Sequence, residues 1–437
     1  MIRISQVRAE LDEWSRPLEK LAARALRLRP EEIVSVRLAR KSVDARDKRD
    51  VHFSLTLDVE TKRPPAGLPR NAQRLEQEKK RTLPAPGKLD HRPLVVGMGP
   101  AGLFAALRLA QAGMNPLVIE RGKPVEEREK DVSLFWSGGA FSPESNVQFG
   151  EGGAGAFSDG KLTTGIKDPR CREVLEALYR AGAPEEILYL AKPHIGTDNL
   201  KRVVAHLREE IRRQGGEICF ETKLTGLRVE SGRIRGATLE DGQGTRTIAT
   251  DCVILAVGHS ARDTFEMLHG LGTPMIRKPF SIGVRIEHRQ SMIDASQYGA
   301  AAGHPALGAA DYKLSVHLPN GRAAYTFCMC PGGQVVAAAS EEEGVVVNGM
   351  SLFARDGENA NSALLISVEP EDFGGDDPLS GVRFQRQWEQ AAFAAGGGDY
   401  RAPAQCVGDF LKGQASKGQG GVTPSYRPGV RWTNLGT

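Results

Sequence analysis

Residues Gly97-Met98-Gly99-Pro100-Ala101-Gly102 lie between two apolar segments, Leu94 to Val96 and Leu103 to Ala112, and a third, Leu117 to Ile119, ends in Glu120. Strand, glycines, helix, strand and terminal acid in that order suit a bound dinucleotide. Gly97 permits the tight turn, Gly99 lets the backbone approach a pyrophosphate, and Gly102 brings the helix close to the sheet. Pro100 and Ala101 form the first helical turn, whose N–H groups and positive dipole end attract the phosphates. Glu120 is placed to accept hydrogen bonds from an adenosine ribose. A second glycine-dense stretch, Gly150 to Gly160, fits neither helix nor strand and predicts an extended loop whose backbone donors approach a flat ring or a phosphate.

Other reactive side chains have two or more readings. His259 follows Gly258 at the end of the apolar segment Thr250 to Val257, where ligands gather in open α/β sheets. It is a candidate proton donor or a structural histidine. Arg285 and Glu287 alternate with Val284 and Ile286, so they share one face of a strand, as pocket lining or as a solvated surface. Cys328 and Cys330 also share a side. Roughly 7 Å between their Cα atoms is the upper limit for a disulfide, which leaves packing, a dithiol that exchanges electrons, or a shared metal open. No metal site is expected.

The elements that must position these groups fall into blocks along 437 residues, too many for one ordinary domain. Residues 1–62 read as a small N-terminal α+β domain, with strands Ile2 to Ala9, Ile33 to Arg40 and Val51 to Val59 and a helix from about Pro17 to Leu28. Residues 63–91 are a linker, with a weakly amphipathic helix at Ala72 to Lys80. Residues 92–270 form a Rossmann-like α/β domain. It includes helices from Asp168 to Gly182 and from Asp198 to Gln214, a strand from Glu217, a run of β-like alternation to Ile248, and a helix from about His259 to Gly270. Residues 271–395 form an antiparallel β-rich domain, with strands near Phe280 to Glu287, Tyr312 to Leu318, Ala323 to Cys330, Gln334 to Ser340 and Ala363 to Val368, then a helix from Val382 to Ala395. Residues 396–437 are a return segment.

A net charge of +4 with interspersed acids does not call for nucleic acid. The basic connection Arg40 to Arg49 is read as a solvated turn, or as a surface for RNA, an acidic partner or the chain's own α/β domain. No run of about eighteen apolar residues appears and Met1 to Glu10 lacks a signal-peptide core, so no membrane association and a cytoplasmic location are expected. Six cysteines without repeated spacing are expected to stay reduced.

Two local features resemble flavoproteins: Glu120 is followed by Arg121-Gly122, and Thr250 to Gly258 resembles the strand that returns to the nucleotide-binding sheet after a meander. More broadly, the chain resembles the bacterial FAD-dependent dehydrogenases of unassigned substrate, related to flavoproteins with a glutathione-reductase-type FAD fold. The residues that carry this are Ser145-Asn146-Val147-Gln148-Phe149-Gly150-Glu151-Gly152-Gly153-Ala154-Gly155-Ala156-Phe157-Ser158-Asp159-Gly160-Lys161-Leu162, with Lys41 to Arg46, Phe327 to Gly333, Val347 to Met350 and Asn359 to Ser362. The resemblance implies FAD as cofactor, with NAD(P)H as a transient reductant or a protein as electron partner, and a small-molecule substrate. It places Gly97, Gly99, Pro100, Ala101, Gly102, Glu120, Arg121, Gln148, Gly152, Gly153, Ser158 and Gly258 at the cofactor. Lys161 and Asp159 are the catalytic groups it implies, beside His259 from its own position, with Lys161 as the cation favouring reduced flavin; the other reading of Asp159 and Lys161 is an ordinary surface pair. The family's glycine-rich closing motif is not found before Thr437, so a C-terminally incomplete chain is expected.

Overall fold

The computed structural model describes residues 1–14, 17–76 and 85–436. The chain forms two compact units, one of residues 1–84, 161–195 and 290–311, the other of residues 85–160, 196–289 and 312–437. Three-dimensional clustering therefore departs from the linear division: segments 161–195 and 290–311 join the N-terminal residues. Backbone pairing explains part of this, because Lys41 N–H donates to the Tyr189 carbonyl and Ala191 N–H donates to the Lys41 carbonyl.

In the first unit, β1 (Ile2–Ala9), β2 (Ile33–Asp44), β3 (His52–Thr61) and β4 (Ala72–Arg74) form a sheet in the order β2-β3-β1-β4. Alternation in β3 sends Phe53, Leu55, Leu57 and Val59 to one face, where they pack with Leu21, Ala22 and Leu26 of α1 (Leu18–Leu26). The helix expected at Ala72 to Lys80 is replaced over 72–74 by β4, whose residues pair with Ile2 to Ile4; residues 77–80 lie outside the described residues. Strand β2 runs on to Asp44, so Lys41 is a strand residue and not part of a solvated turn. Its ammonium lies 3.4 Å from the Trp14 ring centroid and 4.2 Å from that of Phe53. Arg46 pairs with Asp44 and Arg49 with Asp47, so these charges of the basic connection are met locally.

The second unit is built on a parallel sheet, in the order β11-β5-β6-β7, of β5 (Leu94–Val96), β6 (Leu117–Ile119), β7 (Glu217–Cys219) and β11 (Val253–Leu255). All three residues of β5 and of β6 are buried, as a sheet covered on both faces requires. Helices α2 (Pro100–Gln111), α3 (Val125–Trp136), α4 (Thr197–Arg213) and α5 (Arg262–Gly270) belong to this unit, with α4 packed against both α2 and α3. The antiparallel meander β8 (Lys223–Glu230), β9 (Arg233–Asp241) and β10 (Gly244–Ala249) lies between β7 and β11 in the chain.

A separate antiparallel sheet has the order β12-β17-β14-β13, from β12 (Phe280–Arg289), β13 (Ser315–His317), β14 (Ala323–Cys330) and β17 (Asn359–Val368). The expected strand at Tyr312 to Leu318 is thus only three residues long. A ribbon of β15 (Gln334–Ala337) and β16 (Val347–Met350) adds a strand the pattern does not announce. Helix α6 (Ser380–Gly396) leads to the return segment, where β18 (Ala402–Ala404) pairs in parallel with β19 (Val430–Trp432). Among the described residues, no helix is long and apolar enough to cross a membrane.

Candidate functional site

The turn between β5 and α2 has the geometry expected of a phosphate cradle. Gly97 adopts φ 95°, and a Cβ there would fall 2.4 Å from the Ala256 carbonyl oxygen. A Cβ at Gly102 would fall 1.8 Å from the Gly97 oxygen, so α2 starts this close to the strand only with glycine at that position. Gly99 is the N-cap of α2 and no side chain caps the helix. A Cβ on Gly99 would meet nothing nearer than the Gly153 Cα, at 3.8 Å. A helix N-terminus without a side-chain cap, fronted by backbone glycines, is the donor set a pyrophosphate requires.

Glu120 is buried, and its carboxylate already organises the site. One oxygen accepts from Met98 N–H at 2.7 Å; the other accepts from Gly122 N–H at 3.0 Å and Gly150 N–H at 2.9 Å. A carboxylate has about four acceptor positions, so beyond these three bonds one remains for a ribose hydroxyl. Glu120 thus ties the first glycine turn, its own turn and the glycine-rich loop together, a task that spacing does not reveal.

The glycine-rich loop lies against that turn: Gly152 N–H donates to the Met98 carbonyl at 2.9 Å, and residues 153–157 form a short 3-10 helix. Arg128, fully buried on α3, is the anchor. Its Nε donates to Asn146 O at 2.7 Å, its Nη2 to Val147 O at 2.9 Å, and its Nη1 to the carbonyls of Gly150, Glu151 and Gly153 at 3.3, 2.6 and 3.0 Å. Burial pushes the Arg128 pKa down to about 10, against the charges of Glu120 and Glu151. A Cβ at Gly150 would fall 2.4 Å from Arg128 Cδ. The sequence carries a signal for this residue, because Val125, Arg128, Val132 and Phe135 form the buried stripe of α3 and one member is an arginine. Glu151 accepts from Val125 N–H at 2.9 Å and Arg208 at 2.6 Å, and burial raises its pKa in spite of them.

The remaining sequence-derived residues are dispersed. Ser158 donates to the Gly155 carbonyl and accepts from Gly160 N–H, bonds internal to the loop. Gln148 donates to the Ala338 carbonyl at 3.2 Å. Asp159 is 1% exposed and is held by both Nε and Nη2 of Arg355, so its carboxylate serves an ion pair instead of standing free for proton transfer. Lys161 falls in the first compact unit, in a backbone bridge with His194. Gly258 has φ 72° and open space where a Cβ would be, and His259 stands at the surface with Nδ1 3.0 Å from the Ser260 hydroxyl. Arg121 pairs with Glu144 and Asp263 and covers the Phe149 ring at 4.1 Å. These four residues border a cleft of about 360 Å³ that also reaches Lys223, Arg262 and Glu341. None of the six cysteines forms a disulfide, Cys330 is buried, and among the described residues no group of His, Cys, Asp or Glu is arranged to hold a metal.

Comparisons with known proteins point to FAD-dependent proteins. Residues 92–156 match the family model of an FAD binding domain, residues 192–312 that of an FAD dependent oxidoreductase, and residues 279–437 that of an FAD-dependent protein, C-terminal domain-like; residues 1–60 match a domain of unknown function. An uncharacterized protein of Clostridium beijerinckii is 48% identical over 444 residues, which covers 99% of this chain and 82% of that protein. The 6-methylpretetramide 4-monooxygenase of Streptomyces rimosus is 29% identical over 167 residues, 38% of this chain and 37% of the enzyme. Among solved structures, a flavoprotein/dehydrogenase from Cytophaga hutchinsonii is 17% identical, covering 65% of this chain and 57% of its own, with a TM-score of 0.33. The chain thus spans less than two thirds of the length of these last two, and neither bears on its activity.

Proposed function

This chain belongs to the family of FAD-dependent oxidoreductases, and from that premise we propose that the β5 to α2 turn, Glu120 and the Arg128-anchored loop hold the FAD of a dehydrogenase or reductase acting on a small molecule. The observation that carries the reading is the α2 N-terminus without a side-chain cap, enclosed by Gly97, Gly99, Gly102 and Gly153. FAD, when bound, supplies hydride or electron chemistry that protein side chains lack. The protein's share is position: Gly99, Pro100, Ala101 and Gly102 present backbone to the phosphates, Glu120 offers its remaining acceptor to the ribose, and Gly152 and Gly153 close the loop over them. Gln148, Ser158 and Gly258 border the cofactor, and Arg121 shapes its adenosine end. His259 is the candidate proton donor, while Asp159 acts through Arg355 as a positioning residue. A glutathione-reductase-type arrangement, a cytoplasmic location and NAD(P)H or a protein as transient electron partner complete the reading.

The test is an absorbance spectrum of the purified protein, as isolated and after FAD is added, followed by anaerobic titration with NADH and with NADPH. Flavin bands retained through gel filtration and bleached by one nucleotide are the expected result. Protein that binds no flavin when FAD is supplied overturns the cofactor assignment for this chain.

A further inference from the structure

Three sequence segments with no part in the dinucleotide site, Phe327 to Gly333, Val347 to Met350 and Asn359 to Ser362, meet around one side chain, Arg285 on β12. Its Nε donates to Asn361 Oδ1 at 2.9 Å, and its Nη2 donates to the Cys328 carbonyl at 2.6 Å and lies 3.9 Å from Cys330 Sγ. A Cβ at Gly349 would fall 2.4 Å from that same nitrogen and 2.5 Å from Asn361 Oδ1, so glycine there leaves the guanidinium its place.

Every one of these neighbours is neutral. Among the described residues Arg285 makes no ion pair, and no hydrogen bond uses its Nη1. Asn361 is 0% exposed and its Nδ2 has no partner either. Three other arginines of this unit are answered: Arg128 by five carbonyl contacts, Arg262 by Glu341 and Glu389, Arg355 by Asp159. Cys328, whose carbonyl serves Arg285, holds φ 46° at an irregularity of β14, a conformation that persists only where the surroundings impose it. A partly buried cation without a counter-charge is costly, and an anion that completes it recovers that cost. Across the sheet, Arg285 pairs with Ala363 and Ala363 with Phe327, so the three share a face, and Phe327 is 60% exposed.

We propose that Arg285 is the anion-binding residue for substrate, and that the substrate of the FAD-dependent reaction proposed above is a carboxylate on an apolar body. Asn361 positions the guanidinium through Oδ1, and Phe327 offers the adjoining apolar surface. One guanidinium matches the single charge of a carboxylate. Glu287, on the same face and already bonded to Asn359 and Ser425, disfavours a phosphate dianion.

The experiment is isothermal titration of the protein, with and without added FAD, with benzoate, benzamide and inorganic phosphate at constant ionic strength. Benzoate should bind saturably, with benzamide and phosphate about tenfold weaker or more, because the charge-assisted bond supplies the difference. Asn361→Asp gives Arg285 an internal carboxylate, and Arg285→Gln removes the charge; each should weaken benzoate about tenfold or more. If Arg285→Gln does not fold, as a melting curve shows, Asn361→Asp alone decides. No benzoate binding to the wild type, or unchanged binding in a folded variant, overturns the proposal. Flavin absorbance of the same samples keeps the readings apart: benzoate binding without flavin sinks the FAD assignment alone, and flavin without benzoate binding sinks the anion site alone.

Discussion

Arg128 makes five hydrogen bonds to backbone carbonyls of residues 146–153, in a loop that contributes few regular backbone pairs of its own. An arginine is suited to this because its planar fork of donors reaches several acceptors at once, whereas a lysine offers one point charge. Arg128→Met should cost about 3 kcal/mol or more, since several buried carbonyls lose their only side-chain donor. The check is a thermal melt together with hydrogen exchange across 146–153, which should speed up markedly. Arg128→Lys should not restore either. Glu120 acts by similar logic with opposite charge, collecting three amides where Arg128 collects carbonyls. The two side chains fix the shape of the proposed phosphate cradle before any ligand arrives.

Strand β12 presents different chemistry on its two faces. Arg285 and Glu287 lie on one; His288, with Ile286 and Val284, lies on the other. His288 is 9% exposed, its Nε2 is 2.7 Å from the Tyr312 hydroxyl, and its Nδ1 has no partner, so it links the chain at Tyr312 to the sheet. Burial pushes the His288 pKa below its ordinary value. In the unfolded chain the ring takes a proton near pH 6.5, while in the fold it stays neutral to lower pH, so the unfolded state binds more protons in that interval. Stability contributed at this position is therefore present above about pH 6.5 and lost as the pH falls through and below it. Melting temperatures measured from pH 7.5 to 5 should drop more steeply for the wild type than for His288→Gln; parallel curves would show that the ring does not titrate with folding.

At the scale of the whole chain, the groups proposed to hold FAD, residues 97–102, Glu120 and residues 150–153, all lie in the second compact unit. A ligand that binds only the folded form stabilises it by about 2.7 kcal/mol at a hundredfold excess over its dissociation constant. Added FAD should raise the melting temperature by several degrees and slow amide exchange at 97–102, 120–122 and 150–153, while exchange in β3 of the first unit stays unchanged. Equal protection in both units would contradict a site built from the second alone.

The tight glycine turn was legible in the order of residues because its determinants are local: the positive φ of Gly97, the crowding at Gly102 and the start of α2 are consequences of neighbours in the chain. Hydrophobic alternation likewise marked β3, β14 and the meander, since a period of two depends only on which face is buried. What tertiary structure decided was partnership. Asp159 found Arg355, 196 positions away; Lys41 found the backbone of Tyr189 and Ala191; Arg285 found Asn361 and Cys328 across a sheet. Segments 161–195 and 290–311 joined the N-terminal residues for the same reason. Local sequence specifies backbone conformation and burial period, but the partner of a charged side chain is set by contacts between distant segments, and these exist only once the chain has folded.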